Sequence, residues 1–211
     1  MCSKPFVIVI AGSVGSGKST VATNLSESLP DAALLIFDDY EAFIQFPEDM
    51  QQWMRDGYPP QYIRVPELQE DMIALRNGKP ITHPLSKNII QPGKFIILEE
   101  PSGRERLEIR DKIDLVVFID VPQDICVLRM IQRVLDMKYW QENGTFENSP
   151  TQDLVRQLDT AALWVKQYQN ARSMYMSVSE IVKQSADLIV DGLKPVEEIS
   201  SEILGAIGQL N

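Results

Sequence analysis

The chain has little from which to build a covalent frame or a metal centre. Its 211 residues include two cysteines, Cys2 and Cys126, with no paired spacing, and one histidine, His83. That excludes a disulfide scaffold and a cysteine-built metal site, and it suits a reduced, cytoplasmic protein. Long apolar runs are missing as well. None approaches the roughly 18 residues needed to cross a bilayer. The first run, Val7 to Ile10, is too short for an export segment and leads into glycine. A soluble chain with no membrane partner is expected. Positive charge is scarce: Lys and Arg number 20 against 30 Asp and Glu, a formal charge of −10. Nucleic-acid binding depends on Lys and Arg displacing counterions from phosphates, so that partner is not expected. A small phosphorylated ligand stays open, since one lysine and a ring of amides can hold it locally.

What is present is ordinary globular material, 44% hydrophobic and 24% charged, without repeats or low-complexity tracts. The length suits one large domain or two small ones. Five short runs are almost continuously apolar: "PFVIVIA" (5–11), "AALLIFD" (32–38), "KFIILEE" (94–100), "LVVFIDV" (115–121) and "ADLIVDG" (186–192). Continuous rather than alternating apolarity predicts strands buried on both faces of a parallel sheet. Helical spacing separates most of them. Val21, Leu25 and Leu29 recur every fourth residue up to Pro30, and 66–78 opens on proline and closes on Gly78. The stretch 122–140 also opens on proline, a long helix is expected from about Thr151 to Gln184, and a last one from about Pro195. Strands alternating with helices predict a layered α/β fold. The polar stretch "WQENGTFENSP" (140–150) reads as a loop.

One motif stands where the first strand should turn into a helix. Gly12-Ser13-Val14-Gly15-Ser16-Gly17-Lys18-Ser19 fits G-x-x-x-x-G-K-[ST], with Thr20 following. Glycines let successive amides point at one anion, and the helix N-terminus aims its free N–H groups at the same place. Lys18 suits the β- and γ-phosphates, and the Ser19 hydroxyl suits Mg²⁺. A nucleoside triphosphate is the expected ligand.

Ligands of open α/β sheets sit at the carboxyl ends of strands. The second strand leads to Asp38 and Asp39, the third to Glu99 and Glu100, the fourth to Asp120. Glu99, after four apolar residues, suits a Mg²⁺ shell or a water bound to it. Asp38 suits the orientation of a substrate hydroxyl, although Asp38 and Asp39 equally fit a solvated turn, and Asp120 a helix cap. Arg129 and Arg133 share a helix face, as a lid over the phosphates or as surface charge. His83 reads as a loop residue or a substrate contact, and Trp53, Tyr58 and Tyr62 as packing residues or a ring-binding pocket.

In this order the pieces resemble the uridine kinase family of phosphate-loop kinases, whose relatives include phosphoribulokinase, nicotinamide riboside kinase and pantothenate kinase. "AGSVGSGKST", "FDDYEAF", "VPELQEDMIALRNGKPITHP", "FIILEE", "LVVFIDVPQDICVLRMIQR" and "ARSMYMSVSEIVKQSADLIV" carry the likeness over nearly the whole chain. The resemblance implies a three-layer phosphate-loop NTPase fold: a five-stranded parallel sheet flanked by helices, with a helical lid. It implies one kinase domain over 1–211, an acceptor-binding insertion at about 40–93 and a lid at about 126–150. ATP and Mg²⁺ are the implied cofactors, with Ser19, Glu99 and Asp38 at the metal. Asp38, Lys18, Arg129 and Arg133 are the implied catalytic set. Asp38, Asp39, Tyr40, Tyr58, Tyr62 and His83 are the expected contacts of a small nucleoside-like acceptor.

The sequence departs from the family at the acceptor. The family has glycine where Glu100 stands, which places extra charge and bulk near the metal. Its lid commonly has arginine at Cys126 and Met130, and aspartate at Val134. Its sugar-holding aspartate falls near Arg64, and its base-stacking aromatic near Ser86, ahead of a shortened hairpin. Two readings follow: a kinase of a nucleoside-like or other small alcohol, and a nucleotide-binding switch or sensor without acceptor chemistry. A homo-oligomer is compatible with either.

Overall fold

The computed structural model describes residues 4–135 and 151–210. Strands β1 (Phe6–Gly12), β2 (Ala32–Ile36), β5 (Phe95–Glu99), β6 (Leu115–Asp120) and β7 (Leu188–Asp191) form one sheet in the order β2-β5-β1-β6-β7. Every pairing in it is parallel. The five apolar runs are these strands. Central β1 is buried on both faces, Val7, Val9 and Ala11 facing one core and Ile8 and Ile10 the other, whereas the edge strands β2 and β7 are only partly buried. The second run is shorter than expected as a strand. After Ile36 the chain winds into a 3₁₀ turn, Phe37–Phe43, carrying its carboxylates off the sheet edge.

Helix α1 (Lys18–Ser28) follows β1, and α4 (Gln123–Leu135) follows β6. With α6 (Val196–Leu210) they cover one face, where Leu25, Cys126 and Ile203 are fully buried. Helix α3 (Pro66–Arg76) covers the other face with Leu68, Met72 and Leu75. Helix α5 (Thr151–Gln184) joins that face through Val182. The result is the three-layer α/β arrangement. Residues 40–93 add α2 (Met50–Arg55), α3 and an antiparallel hairpin of β3 (Ile81–Thr82) and β4 (Ile89–Ile90). Of the lid expected at 126–150, residues 126–135 belong to α4, and the rest, with the 140–150 loop, lie outside the described residues. Among the described residues no helix is long and apolar enough to cross a membrane.

Parallel register puts every strand's carboxyl end on one rim. Ile10 pairs with Glu99, which pairs with Ile36, so the loop after β1 faces the turn after β2.

Candidate active site

The loop between β1 and α1 is shaped by backbone angles that side chains resist. Gly15 has φ +84° and Gly17 φ +96°, both in the left-handed region. A Cβ on Gly15 would collide with the carbonyl oxygen of Cys126, so glycine lets α4 close against the loop. At Gly17 the space is open, its nearest neighbour being Arg129 Nη1 at 4.0 Å. Helix α1 begins at Lys18 with no side-chain cap, leaving its first N–H groups facing the hollow. Ser16 Oγ is buried with no hydrogen-bond partner among the described residues. These are the features of an anion cradle.

Lys18 is nearly buried, donates to the Ser13 carbonyl at 3.2 Å and lies 3.5 Å from Glu99 Oε1. The other Glu99 oxygen accepts the Phe37 N–H at 3.3 Å. Burial pushes the Glu99 carboxyl up, with Lys18 pulling against it. A hollow of about 130 Å³ is lined by Lys18, Ser19, Thr20, Asp38, Glu99 and Arg133, with Val14, Gly15 and Gly17 at its floor. Six side chains from four separate segments thus line one hollow at the helix N-terminus. Asp120 stands apart, paired with Lys183 Nζ at 2.7 Å.

Arg129 differs from expectation. Its guanidinium donates to the carbonyls of Ser16 at 3.2 Å and Gly192 at 3.0 Å, which ties α4 to the loop and to the turn after β7. It lines a second hollow of about 300 Å³ with Thr20, Arg133, Gly192, Lys194 and Val196 rather than the one holding Asp38. Gly192, Lys194 and Val196 were not signalled by any local motif. Cys126 and Met130 are buried beneath the loop.

The acceptor-side residues divide. Asp39 pairs with His83, Oδ2 to Nε2 at 3.1 Å, across 44 residues of chain. His83 Nδ1 accepts the N–H groups of Leu85 at 3.3 Å and Ser86 at 3.1 Å, so the proton is on Nε2, donated to Asp39. Tyr40 is 1% exposed, and its hydroxyl donates to Asp71 at 2.7 Å. It is a core residue and not a substrate contact. Tyr58 packs edge-on against buried Trp53, ring centroids 5.2 Å apart, and Trp53 Nε1 donates to the Pro59 carbonyl. Tyr62 is exposed and lines none of these hollows. Arg64 turns outward to Glu108 at 2.8 Å. Of the two readings for Trp53, Tyr58 and Tyr62, Trp53 and Tyr58 follow the packing one, and no pocket gathers all three rings among the described residues.

An apolar cavity of about 250 Å³ lies beside the charged hollow instead. Phe37, Ile44, Phe46, Ile63, Met174 and Val178 wall it, and Val14, Phe37 and Pro101 border both spaces. Glu100 also corrects expectation. It does not line the hollow that holds Glu99 and Asp38 and is fully buried against Arg106, which donates from Nε at 2.7 Å and from Nη2 at 2.8 Å. Its charge is neutralised within the fold. Arg106 also donates to the Ile63 carbonyl at 2.6 Å and lies 5.7 Å from the Phe37 ring centroid, under the cavity.

No family model matches the chain. A uridine kinase of Pasteurella multocida is 30% identical over 201 residues, which cover 87% of this chain and 84% of that one. The chain belongs to the uridine kinase family. A uridine kinase of Escherichia coli is 29% identical over 206 residues, covering 87% and 85%. Among solved structures, a gluconokinase of Sinorhizobium meliloti aligns at 16% identity and TM-score 0.48, covering 99% of this chain and 95% of that one. As a member of the uridine kinase family the protein is a phosphotransferase with an alcohol group as acceptor.

Proposed function

We propose that this kinase transfers the γ-phosphoryl group of Mg·ATP to a hydroxyl of a small metabolite, the nucleosides being the class suggested by its relatives' names. One observation carries the reading: Lys18, Ser19, Asp38, Glu99 and Arg133 line a single hollow at the N-terminus of α1. The orphaned Ser16 hydroxyl and the open cradle at Gly17 fit a phosphate tail.

The residues have separate roles. Loop amides and Lys18 hold the phosphates, and Arg133 neutralises charge on the transferring group. No group of three His, Cys, Asp or Glu residues gathers among the described residues. Ser19, Glu99 and Asp38 line that hollow and would hold a magnesium ion together with phosphate and water oxygens. When bound, it supplies positive charge against the β- and γ-phosphates. Asp38 accepts the hydroxyl proton as the acceptor oxygen forms its bond to the γ-phosphorus and the bond from that phosphorus to ADP breaks. A carboxylate is a weak base for an alcohol, but in a loose transition state the hydroxyl acidifies late, so orientation counts for more. The Asp39–His83 pair anchors the turn that carries Asp38 to the β3–β4 hairpin.

Acceptor-dependent ADP release tests this. Asp38→Asn is expected to lower kcat roughly 10²–10⁴-fold, the range of general-base contributions, with a much smaller change in ATP affinity by calorimetry. Wild-type turnover by that variant would remove Asp38 from the mechanism. ADP release indifferent to every alcohol would favour a sensor.

A further inference from the structure

We propose that the acceptor is an alcohol with an apolar body, an aryl or branched alkyl carbinol, seated in the cavity beneath α5. The inference rests on the kinase reading above and names the substrate class of that site.

Position is the first argument. Val14, Phe37 and Pro101 form a wall common to the cavity and to the hollow that holds Asp38, Lys18 and Glu99. A molecule filling the cavity therefore touches residues that also line the hollow of the phosphoryl-transfer groups. Size is the second. The cavity measures about 250 Å³, whereas an apolar cavity of about 150 Å³ holds benzene. A substituted ring or a branched chain fits.

The walls decide the chemistry. Phe37, Ile44, Phe46, Ile63, Met174 and Val178 present hydrocarbon, and among the described residues lining the cavity there is no Asp, Glu, Asn, Gln or His. Of its polar members, Ser13, Ser102, Ser179 and Arg106 are engaged by the protein itself, and Tyr175 adds one phenol hydroxyl to the wall. Ser13 Oγ donates to Ser179 Oγ at 2.9 Å and accepts from Gln123 at 2.6 Å. Arg106 is occupied by Glu100, Ser102 and the Ile63 carbonyl. A nucleoside would bury sugar hydroxyls and base edges here with few partners, and each unpaired group weakens binding. A carbinol brings one hydroxyl, which is the group that reacts. Its oxygen forms the new bond to the γ-phosphorus of ATP, the bond to ADP breaks, and the proton goes to Asp38 and then to water.

The test uses the full chain with Mg·ATP and reads ADP release against 2-phenylethanol, benzyl alcohol, 3-methylbutanol, uridine, cytidine and glycerol. At least one of the first three should exceed uridine tenfold or more in kcat/KM. Val178→Trp, which fills the cavity from α5, should raise the KM of that alcohol at least tenfold and leave ATP affinity within twofold. A preference for uridine, cytidine or glycerol would overturn the apolar acceptor and leave the kinase intact. If the chain binds ATP and no alcohol, apolar or polar, drives ADP release, the inference and the kinase reading both fail. Unaltered kinetics in a folded Val178→Trp variant would place the acceptor outside this cavity.

Discussion

Glu100 and Arg106 form an ion pair with side-chain exposures of 0% and 1%. Two charges so far from water are tolerated because each is satisfied by the other and by neighbouring groups. Arg106 adds the Ile63 carbonyl, and Glu100 Oε1 also accepts the Ser102 N–H at 2.7 Å. Removing one partner strands the other. Arg106→Met should destabilise the chain by about 3–5 kcal/mol, the usual cost of an uncompensated buried charge, and the double variant Glu100→Leu/Arg106→Met should recover most of it. Urea denaturation of the two single variants and the pair measures this. Additive losses would mean that the two side chains are not coupled.

Helix α4 holds together three segments that are remote in sequence. Arg129 spans from the Ser16 carbonyl in the loop to the Gly192 carbonyl after β7, closing the hollow that Lys194 and Val196 line. Hydrogen bonds from a charged donor contribute about 1.5–3 kcal/mol each. Arg129→Met should therefore destabilise the fold by about 1.5–3 kcal/mol and, by loosening the loop, weaken ATP binding more than it lowers kcat. Calorimetry separates the effects, and unchanged affinity would detach α4 from the nucleotide. Elements of this kind set the limit of what the sequence reveals. The five strands and α1, α3, α4, α5 and α6 are legible because burial on two faces or one leaves a local apolar period. The phosphate loop is legible because its spacing is itself the mechanism. Tertiary partner choice leaves no such period. Nothing local says that Glu100 turns inward to a residue six positions on, or that Tyr40 points into the core. Nor does any local signal bring Phe46, Ile63 and Met174, from three unrelated stretches, to one cavity wall.

Across the whole molecule the charge of −10 opposes an anionic ligand. Nucleotide binding then depends on the short-range set at the α1 N-terminus rather than on long-range steering. Such a ligand acts on folding by mass action, since the cradle exists only when β1, α1 and α4 are packed. Mg·ATP at 100 times its dissociation constant should stabilise the fold by about 2.7 kcal/mol. For a domain of this length that raises Tm by about 5–11 °C. Chelating magnesium with EDTA should remove much of the shift, because Ser19, Asp38 and Glu99 then meet the phosphates with no cation between them, and two of those three are carboxylates. Raising NaCl from low to physiological strength should weaken binding little, since the repulsion it screens lies on the exposed surface while Lys18 is nearly buried. Differential scanning fluorimetry with ATP, with and without EDTA and at low and physiological NaCl, reads all three effects. A shift unchanged by EDTA would mean that the carboxylates do not share a metal with the nucleotide.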